Sequence, residues 1–266
     1  MNDEDCVAFL QWALPSLGMR WAGFRKVRRQ VCKRIARRIG DLGLSGFSAY
    51  RRYLNAEPDE WRHLDFCCRV TISRFYRDRG VFELIRDRLL PELAATEAVI
   101  RCWCAGCASG EEPYTMSILW RTHLRDRFPG VRLSVLATDA DETLLERART
   151  ARYPRSSLRE MAPESAEAAF VSEGGEFALC PSFREGVVLL RQDMRSGMPE
   201  GPFHMVLCRN LVFTYFEPGL QGRLLGGILK RLLPGGFLVM GAHEDLPAGD
   251  WPLERLGVSV PVFRHL

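Results

Sequence analysis

Hydrophobic positions along the chain change period once. Between residues 4 and 60 they recur at helical spacing. In VRRQVCKRIARRI, Val27, Val31, Ile35 and Ile39 return every fourth residue. That apolar stripe, bordered by arginine and lysine, predicts an amphipathic helix. Leu42-Gly43 reads as its end, because glycine adopts the left-handed capping conformation without steric cost. Further apolar-periodic stretches surround residues 47–54 and 61–70. From about residue 97 the texture becomes alternating strand and helix. AVIRCWCAG, VRLSVLATD, FHMVLCRN and PGGFLVMGAH read as strands; PYTMSILWRTHLRDRF, DETLLERARTARY and PGLQGRLLGGILKRLL read as helices. Strands joined by helices of this length imply right-handed crossovers and an open, mostly parallel, doubly wound sheet. SEGGEFALCPSFREGVVLLRQD breaks the alternation with Gly-Gly, Pro-Ser and Glu-Gly between short apolar runs, and predicts a small antiparallel insertion at about 168–191. The expected architecture is α/β, with an all-helical N-terminal domain over residues 1–72 and the sheet domain over 73–266.

Composition adds limits. With 266 residues and 47% hydrophobic positions the chain can build a sizeable core, and its length suits one or two domains. No apolar run approaches the roughly 18 residues of a membrane helix, and the opening MNDEDC is acidic, unlike a signal peptide. A cytoplasmic protein without membrane insertion is therefore expected. The net charge of +4 selects no partner, but residues 20–38 carry nine arginines and lysines and no acid. Such a run is a solvated face, a docking surface for an acidic helical partner, or a nucleic-acid contact. Aromatic residues of the kind that stack single-stranded bases are missing between Arg25 and Gly43, so nucleic acid is disfavoured. Nine cysteines, an odd number, read as reduced and mostly buried thiols. Cys102, Cys104 and Cys107 lack a second Cys/His cluster to complete a metal site, and no metal is expected. The five histidines show no ligand spacing.

Candidate chemistry sits at strand ends, where open parallel sheets bind ligands. The first strand runs into Gly106-Cys-Ala-Ser-Gly110-Glu-Glu-Pro, a tight turn before a helix. Its glycines let the backbone approach a ligand. The second strand ends at Asp139, where a carboxylate can accept both hydroxyls of a ribose. Asp193 is a third candidate, facing an adenine amino group. Neither a GK[ST] phosphate loop nor the three-glycine dinucleotide pattern is present. Glu111 and Glu112 would repel phosphate and suit a cationic ligand. S-adenosylmethionine carries both an ammonium and a sulfonium. The plainer alternative is a simple turn followed by a solvated first-turn acid.

Cys104-Ala-Gly-Cys-Ala-Ser-Gly-Glu-Glu-Pro-Tyr114, Ala137-Thr-Asp-Ala-Asp141 and Phe203-His-Met-Val-Leu-Cys-Arg-Asn210 resemble the CheR-type methyltransferases. That family modifies chemoreceptor glutamates with S-adenosylmethionine, releasing S-adenosylhomocysteine. Thr71-Ile-Ser-Arg-Phe-Tyr-Arg77 and Leu233-Pro-Gly-Gly-Phe-Leu add two further motifs in the family's order, from about residue 20 to the end. The resemblance implies a class I methyltransferase-like fold. It implies cofactor contacts from Thr71, Ser73, Arg77, Glu112, Asp139, Asp193, Met194, Arg209 and Asn210, with Arg77 near the cofactor carboxylate and Glu112 at its amine. Arg34 and Tyr215 match the residues facing the methyl acceptor. An acidic helical substrate such as a chemoreceptor cytoplasmic domain, and a monomeric enzyme, are the expected partners and state. Several positions depart from the family: Thr71, Ser73 and Asp193 differ from its usual residues, the spacing to Tyr215 is one residue longer, and the insertion is shorter. A same-fold methyltransferase with another acceptor, and a non-catalytic S-adenosylmethionine-binding module, remain the alternatives. Phe75 and Tyr76 are open between core packing and an adenine stack.

Overall fold

A computed structural model describes residues 3–257 and 260–266. Residues 1, 2, 258 and 259, which the expected domain ranges include, lie outside the described residues. The chain divides into two compact units, one of residues up to Thr71 plus Leu211–Gln221, the other of Ile72–Asn210 plus Gly222–Leu266.

The first unit opens with helices α1 (Asp3–Ala13), α2 (Trp21–Phe24), α3 (Arg28–Asp41), α4 (Phe47–Ala56) and α5 (Glu60–Cys68). The stripe expected from the sequence is the buried face of α3, where Val31, Ile35 and Ile39 are shielded from water. Gly43, at φ +67°, follows the helix end as anticipated. Phe9 of α1 packs on the rings of Phe47 and Tyr50, 5.3 and 5.6 Å between centroids. Beneath them Glu60 accepts two hydrogen bonds from Arg38 (2.9 and 2.7 Å) and one from the Tyr50 hydroxyl (2.7 Å). This network joins α3, α4 and α5. One expectation fails here: Cys6 and Cys32 form a disulfide, Cα atoms 6.0 Å apart, tying α1 to α3. Packing brings together two cysteines 26 residues apart, and nothing in their spacing reveals that pairing. The other seven cysteines are free thiols.

The second unit is the predicted α/β sheet. Its elements are α6 (Arg79–Leu84), a π-helical turn (Ile85–Leu89), α7 (Leu90–Ala94), β1 (Val99–Ala105), α8 (Glu111–Leu119), a second π-helical turn (Trp120–Leu124), β2 (Arg132–Asp139) and α9 (Glu142–Thr150). Then come β3 (Arg152–Tyr153), α10 (Pro163–Ala169), β4 (Phe170–Glu173), β5 (Glu176–Leu179), β6 (Val187–Arg191) and β7 (Phe203–Cys208). Helix α11 (Val212–Tyr215) belongs to the first unit, and α12 (Pro218–Leu229) leads back to β8 (Leu232–Met240), β9 (Leu253–Arg255) and β10 (Val262–His265). The large sheet runs β6-β2-β1-β7-β8-β10-β9, parallel from β6 to β8 and closed by two antiparallel strands. Every residue of β7 is buried, as in a central strand covered on both faces. Cys102, Cys104 and Cys107 pack in the apolar core, and burial pushes the Cys102 thiol up to about 12. Among the described residues, no helix is long and apolar enough to cross a membrane.

Two local expectations shift. The antiparallel insertion is a three-stranded sheet, β3-β5-β4, so its third strand comes from residues 152–153. The last apolar run of the expected insertion is instead β6, a parallel edge strand beside β2. The LL pair ending the last predicted helix belongs to β8: Leu232 is buried and pairs with Phe203, so sheet pairing overrides helical periodicity.

Candidate functional site

Strand order reverses between β1 and β7. The chain winds outward through β2 and β6 on one side and through β8 on the other. Such a switch point opens a crevice at the carboxyl ends of the two strands. The segments leaving β1 and β7 carry Glu112 and the pair Arg209-Asn210 respectively.

The turn after β1 depends on its backbone. Gly106, Ala108 and Gly110 all have positive φ (+78°, +48° and +90°). A Cβ on Gly110 would lie 2.9 Å from Ala148 Cβ and from the Tyr114 ring, so glycine is required there. The Gly106 and Cys107 amides donate to the Thr138 carbonyl, which docks the turn on the end of β2. Asp139 closes the arrangement. Its carboxylate accepts from the Ala108 amide (2.8 Å) and the Asp141 amide (2.9 Å) and is thereby fixed at the strand end.

Arg209 is the hub of the crevice, its side chain 2% exposed. One terminal nitrogen donates to Glu112 (3.0 Å); the other donates to the Arg77 carbonyl (2.6 Å) and to Asp78 (2.9 Å). Arg77 donates to Asn210 Oδ1 (3.0 Å) and to the Ile72 carbonyl (2.7 Å). Tyr76, Asp78 and Asn210 adopt left-handed backbone, at φ +55°, +61° and +55°. Non-glycine residues hold that conformation only where surrounding contacts fix it, commonly at functional sites. Asn210 is fixed by Glu244, a buried carboxylate that accepts from the Asn210 amide (2.8 Å) and the Gly241 amide (2.7 Å).

Charge state follows from burial. Desolvation pushes the Glu112 carboxyl above its ordinary value, and the Arg209 guanidinium opposes the shift without cancelling it. Glu111 is also raised by burial, against hydrogen bonds from its own backbone and from the Ser109 and Ser73 hydroxyls.

The sequence-predicted residues therefore separate into groups. Arg77, Glu112, Arg209 and Asn210 meet in one network, Asp139 is held at the adjoining turn, and Ser73 bonds Glu111. Asp193 is bound by its neighbour Arg195, whose Nε and terminal nitrogen lie 3.0 and 2.6 Å from the carboxylate. Met194 beside it is buried. Thr71, Arg34 and Tyr215 belong to the first unit. There Tyr215 packs edge-on against Phe24, 5.2 Å between centroids, and its carbonyl accepts from the Arg20 amide. Phe75 is core: it is fully buried and makes T-shaped contacts with Tyr153 and Phe170.

Four residues escaped the sequence reading. Glu244 follows a strand end, so the rule that found Asp139 could have found it. Arg195 stands two residues from Asp193, a spacing at which a local pair forms. Asp78 meets Arg209 across 131 positions, which only the fold reveals. The Gln192 backbone N–H donates to the Asp139 carbonyl (2.9 Å), and the side-chain oxygen is buried without a hydrogen-bond partner among the described residues. An orphaned buried acceptor at a strand end calls for a donor.

The residues suit a nucleoside bearing an amine and a carboxylate. Carboxylates suit an ammonium and sugar hydroxyls, a guanidinium suits the carboxylate, and a buried amide oxygen suits an exocyclic amine. The family model "CheR methyltransferase, SAM binding domain" matches residues 71–258. The chain is 26% identical to a chemotaxis protein methyltransferase of Listeria monocytogenes over 96% of this chain and 95% of that protein. It is also 28% identical to an uncharacterized 104.1 kDa protein of Rhodobacter capsulatus, over 81% of this chain but only 23% of that protein. Among solved structures, an S-adenosylmethionine-bound amino pentose methyltransferase from Micromonospora echinaspora matches with TM-score 0.36 and 20% identity, over 61% of this chain and 49% of that one. With a family model covering most of its length, the chain belongs to the CheR family of S-adenosylmethionine-dependent methyltransferases.

Proposed function

We propose that the chain methylates glutamate side chains on an acidic helical segment of a chemoreceptor-like signalling protein. The observation that carries the cofactor side is the pair of anchored carboxylates, Glu112 and Asp139, at the carboxyl end of a parallel sheet. Glu112 meets the amine, Asp139 the ribose hydroxyls and Arg77 the carboxylate of S-adenosylmethionine. Met194 lies against the adenine. Asp193, expected at the adenine amine from its strand-end position, lies beside the adenine with its carboxylate bonded by Arg195, and Gln192 Oε1 offers a second acceptor for that amine. Thr71, Ser73, Arg209 and Asn210 complete the contact set, with Arg209 and Asn210 also holding Glu112 and Arg77 in place.

The cofactor, when bound, supplies a methyl group on a positively charged sulfur, which a carboxylate displaces to give an ester and S-adenosylhomocysteine. A glutamate acceptor is already ionised near neutral pH, with an ordinary pKa of about 4.3, so no general base is needed. The protein's tasks are to orient the acceptor and exclude water. Arg34 and Tyr215 are assigned to the acceptor carboxylate. The helical region, residues 1–72, forms the substrate side. On α3, Arg29, Lys33 and Arg37 are exposed, recur every fourth residue and make no ion pair among the described residues. That basic stripe complements a glutamate-bearing helix. The relative from Listeria monocytogenes, named a chemotaxis protein methyltransferase, supports the same acceptor class. A monomer in the cytoplasm completes the reading.

Incubation with methyl-labelled cofactor and purified chemoreceptor cytoplasmic domain tests it. Label released as methanol by mild alkali is the expected result. Alkali-stable label would point to a different acceptor group, and cofactor binding with no label on any protein would point to a sensing module.

A further inference from the structure

The amino ends of β2 and β6, opposite to the cofactor crevice, border a half-open cavity of about 370 Å³. Its position is distinct: β2 runs from Arg132 at the cavity to Asp139 at the crevice, about 23 Å at 3.3 Å per residue. Ser117, Arg121 and Arg125 follow one another at four-residue spacing on one wall, so they share a face of α8 and its π-helical extension. Arg132 stands on another. Apolar surface comes from Trp120, whose ring stacks on Phe128, and from Leu133, Val135 and Val187. Glu185 is the single acid in the lining, and it is already engaged by Arg121 at 3.0 Å. Arg125 and Arg132, both exposed, make no ion pair or side-chain hydrogen bond among the described residues.

We infer that this cavity is a binding site for a small aromatic phosphate of mononucleotide size. The volume falls at the lower end of the roughly 300–1,000 Å³ usual for small-molecule sites. Two uncommitted guanidiniums, with Arg121 behind them, supply the fork geometry that phosphate recognition uses. The apolar wall accepts a flat ring, and the guanidinium planes can stack upon it. An alternative account of Arg125 is that it merely complements the carboxyl end of its helix. That account gives Arg132, at the start of a strand, no role.

Calorimetry on the full chain tests the site. The protein is first saturated with S-adenosylhomocysteine, so that nucleotides cannot report on the cofactor crevice. The probes are adenosine and guanosine 5′-monophosphate, with guanosine and inorganic phosphate as controls. Saturable one-site binding of a mononucleotide is expected, with both controls at least about ten-fold weaker, because each lacks half of the recognition. The double substitution Arg125→Ser/Arg132→Ser replaces exposed residues; it should weaken the mononucleotide about ten-fold or more and leave S-adenosylhomocysteine affinity unchanged. Absence of saturable heat for both mononucleotides below about 5 mM, where affinity would fall under roughly 3 kcal/mol, overturns the inference. Equal mononucleotide affinity in the double variant overturns it as well. Failure of S-adenosylhomocysteine to bind is a separate result that bears on the proposed function; the nucleotide titrations then proceed on the free protein.

Discussion

Each unit holds a guanidinium–carboxylate cluster around a buried group, Glu60 in the first and Arg209 in the second, and they are built to different ends. In the first unit Arg38, Tyr50 and Glu60 satisfy one another. Burial raises the Glu60 carboxyl, but hydrogen bonds from Arg38 and Tyr50 together outweigh it, and the group ends below its ordinary value. In the second unit Arg209 holds Glu112 and Asp78, yet Glu112 ends above its ordinary value, and Arg209 Nε is buried without a hydrogen-bond partner among the described residues. The first cluster is complete and spends its polarity on holding three helices. The second is less complete: burial keeps the Glu112 carboxyl raised despite its guanidinium partner. A carboxyl raised by burial beside a specific partner is a candidate functional group, whereas one whose hydrogen bonds outweigh its burial suits a structural role.

The largest effect expected from breaking this contrast falls on stability. Arg38→Ala leaves the Glu60 carboxylate buried with Tyr50 alone and should cost about 3 kcal/mol, the low end for a broken buried pair because Arg38 is partly exposed. Urea unfolding measures it. The pH profile carries the sign. Because the folded-state pKa of Glu60 is depressed, its contribution is present above the ordinary carboxylate range and lost as pH falls through the depressed value. A wild-type profile without that acid limb would contradict the assignment of Glu60 as structural.

Next comes Asp139→Ala, which tests the second unit through binding instead. Two hydroxyl contacts to an anchored carboxylate, about 1–1.5 kcal/mol each, predict a loss of cofactor affinity of roughly 30- to 160-fold. Calorimetry with S-adenosylmethionine and S-adenosylhomocysteine checks it. Unchanged affinity would remove the nucleoside from the crevice.

How far the sequence revealed this contrast follows from the range of each contact. Periodicity disclosed the α3 stripe and strands β1, β2, β7 and β8, because each is a local pattern over one element. Strand-end reasoning reached Glu112 and Asp139 for the same cause. The pairing of Arg209 with Asp78 and Glu112 spans 131 and 97 positions, and the Cys6–Cys32 bridge spans 26; none of these has a local signature. The run VVLLR looked like another strand of the antiparallel insertion because an apolar pentapeptide states that a strand forms, not what it pairs with. The pairing of Asp193 with Arg195, two residues on, was not read from the sequence, because strand-end reasoning names a position and not the neighbours that bond it.

Glu112→Gln sharpens the comparison with a smaller effect. Loss of the charge facing the cofactor amine should weaken binding about ten-fold. Wild-type affinity should also fall as pH is lowered, beginning above the ordinary carboxylate range because the Glu112 pKa is raised. In the Gln variant that limb should vanish. Stability carries the opposite sign from Glu60. A carboxyl raised on folding stabilises most below its ordinary pKa, and that contribution is lost as pH rises through the raised value. Identical pH dependence of affinity in wild type and variant would assign the amine contact elsewhere.

Gln192 gives the smallest effect and the most discriminating one. Its buried Oε1 has no hydrogen-bond partner among the described residues, a cost that folding bears and the adenine amine would relieve. Gln192→Leu removes the orphan at similar volume. Unliganded stability should therefore hold or rise, by up to about 1 kcal/mol, while S-adenosylmethionine affinity falls about three- to ten-fold. Structural and ligand-binding roles thus predict opposite signs for one substitution. Urea unfolding without ligand, paired with calorimetry on the same preparation, reads both. Were Gln192 simply packing, the two quantities would drop together. The cofactor analogue with a 6-hydrogen in place of the amine should bind wild type and Gln192→Leu equally, which isolates the contact to that nitrogen.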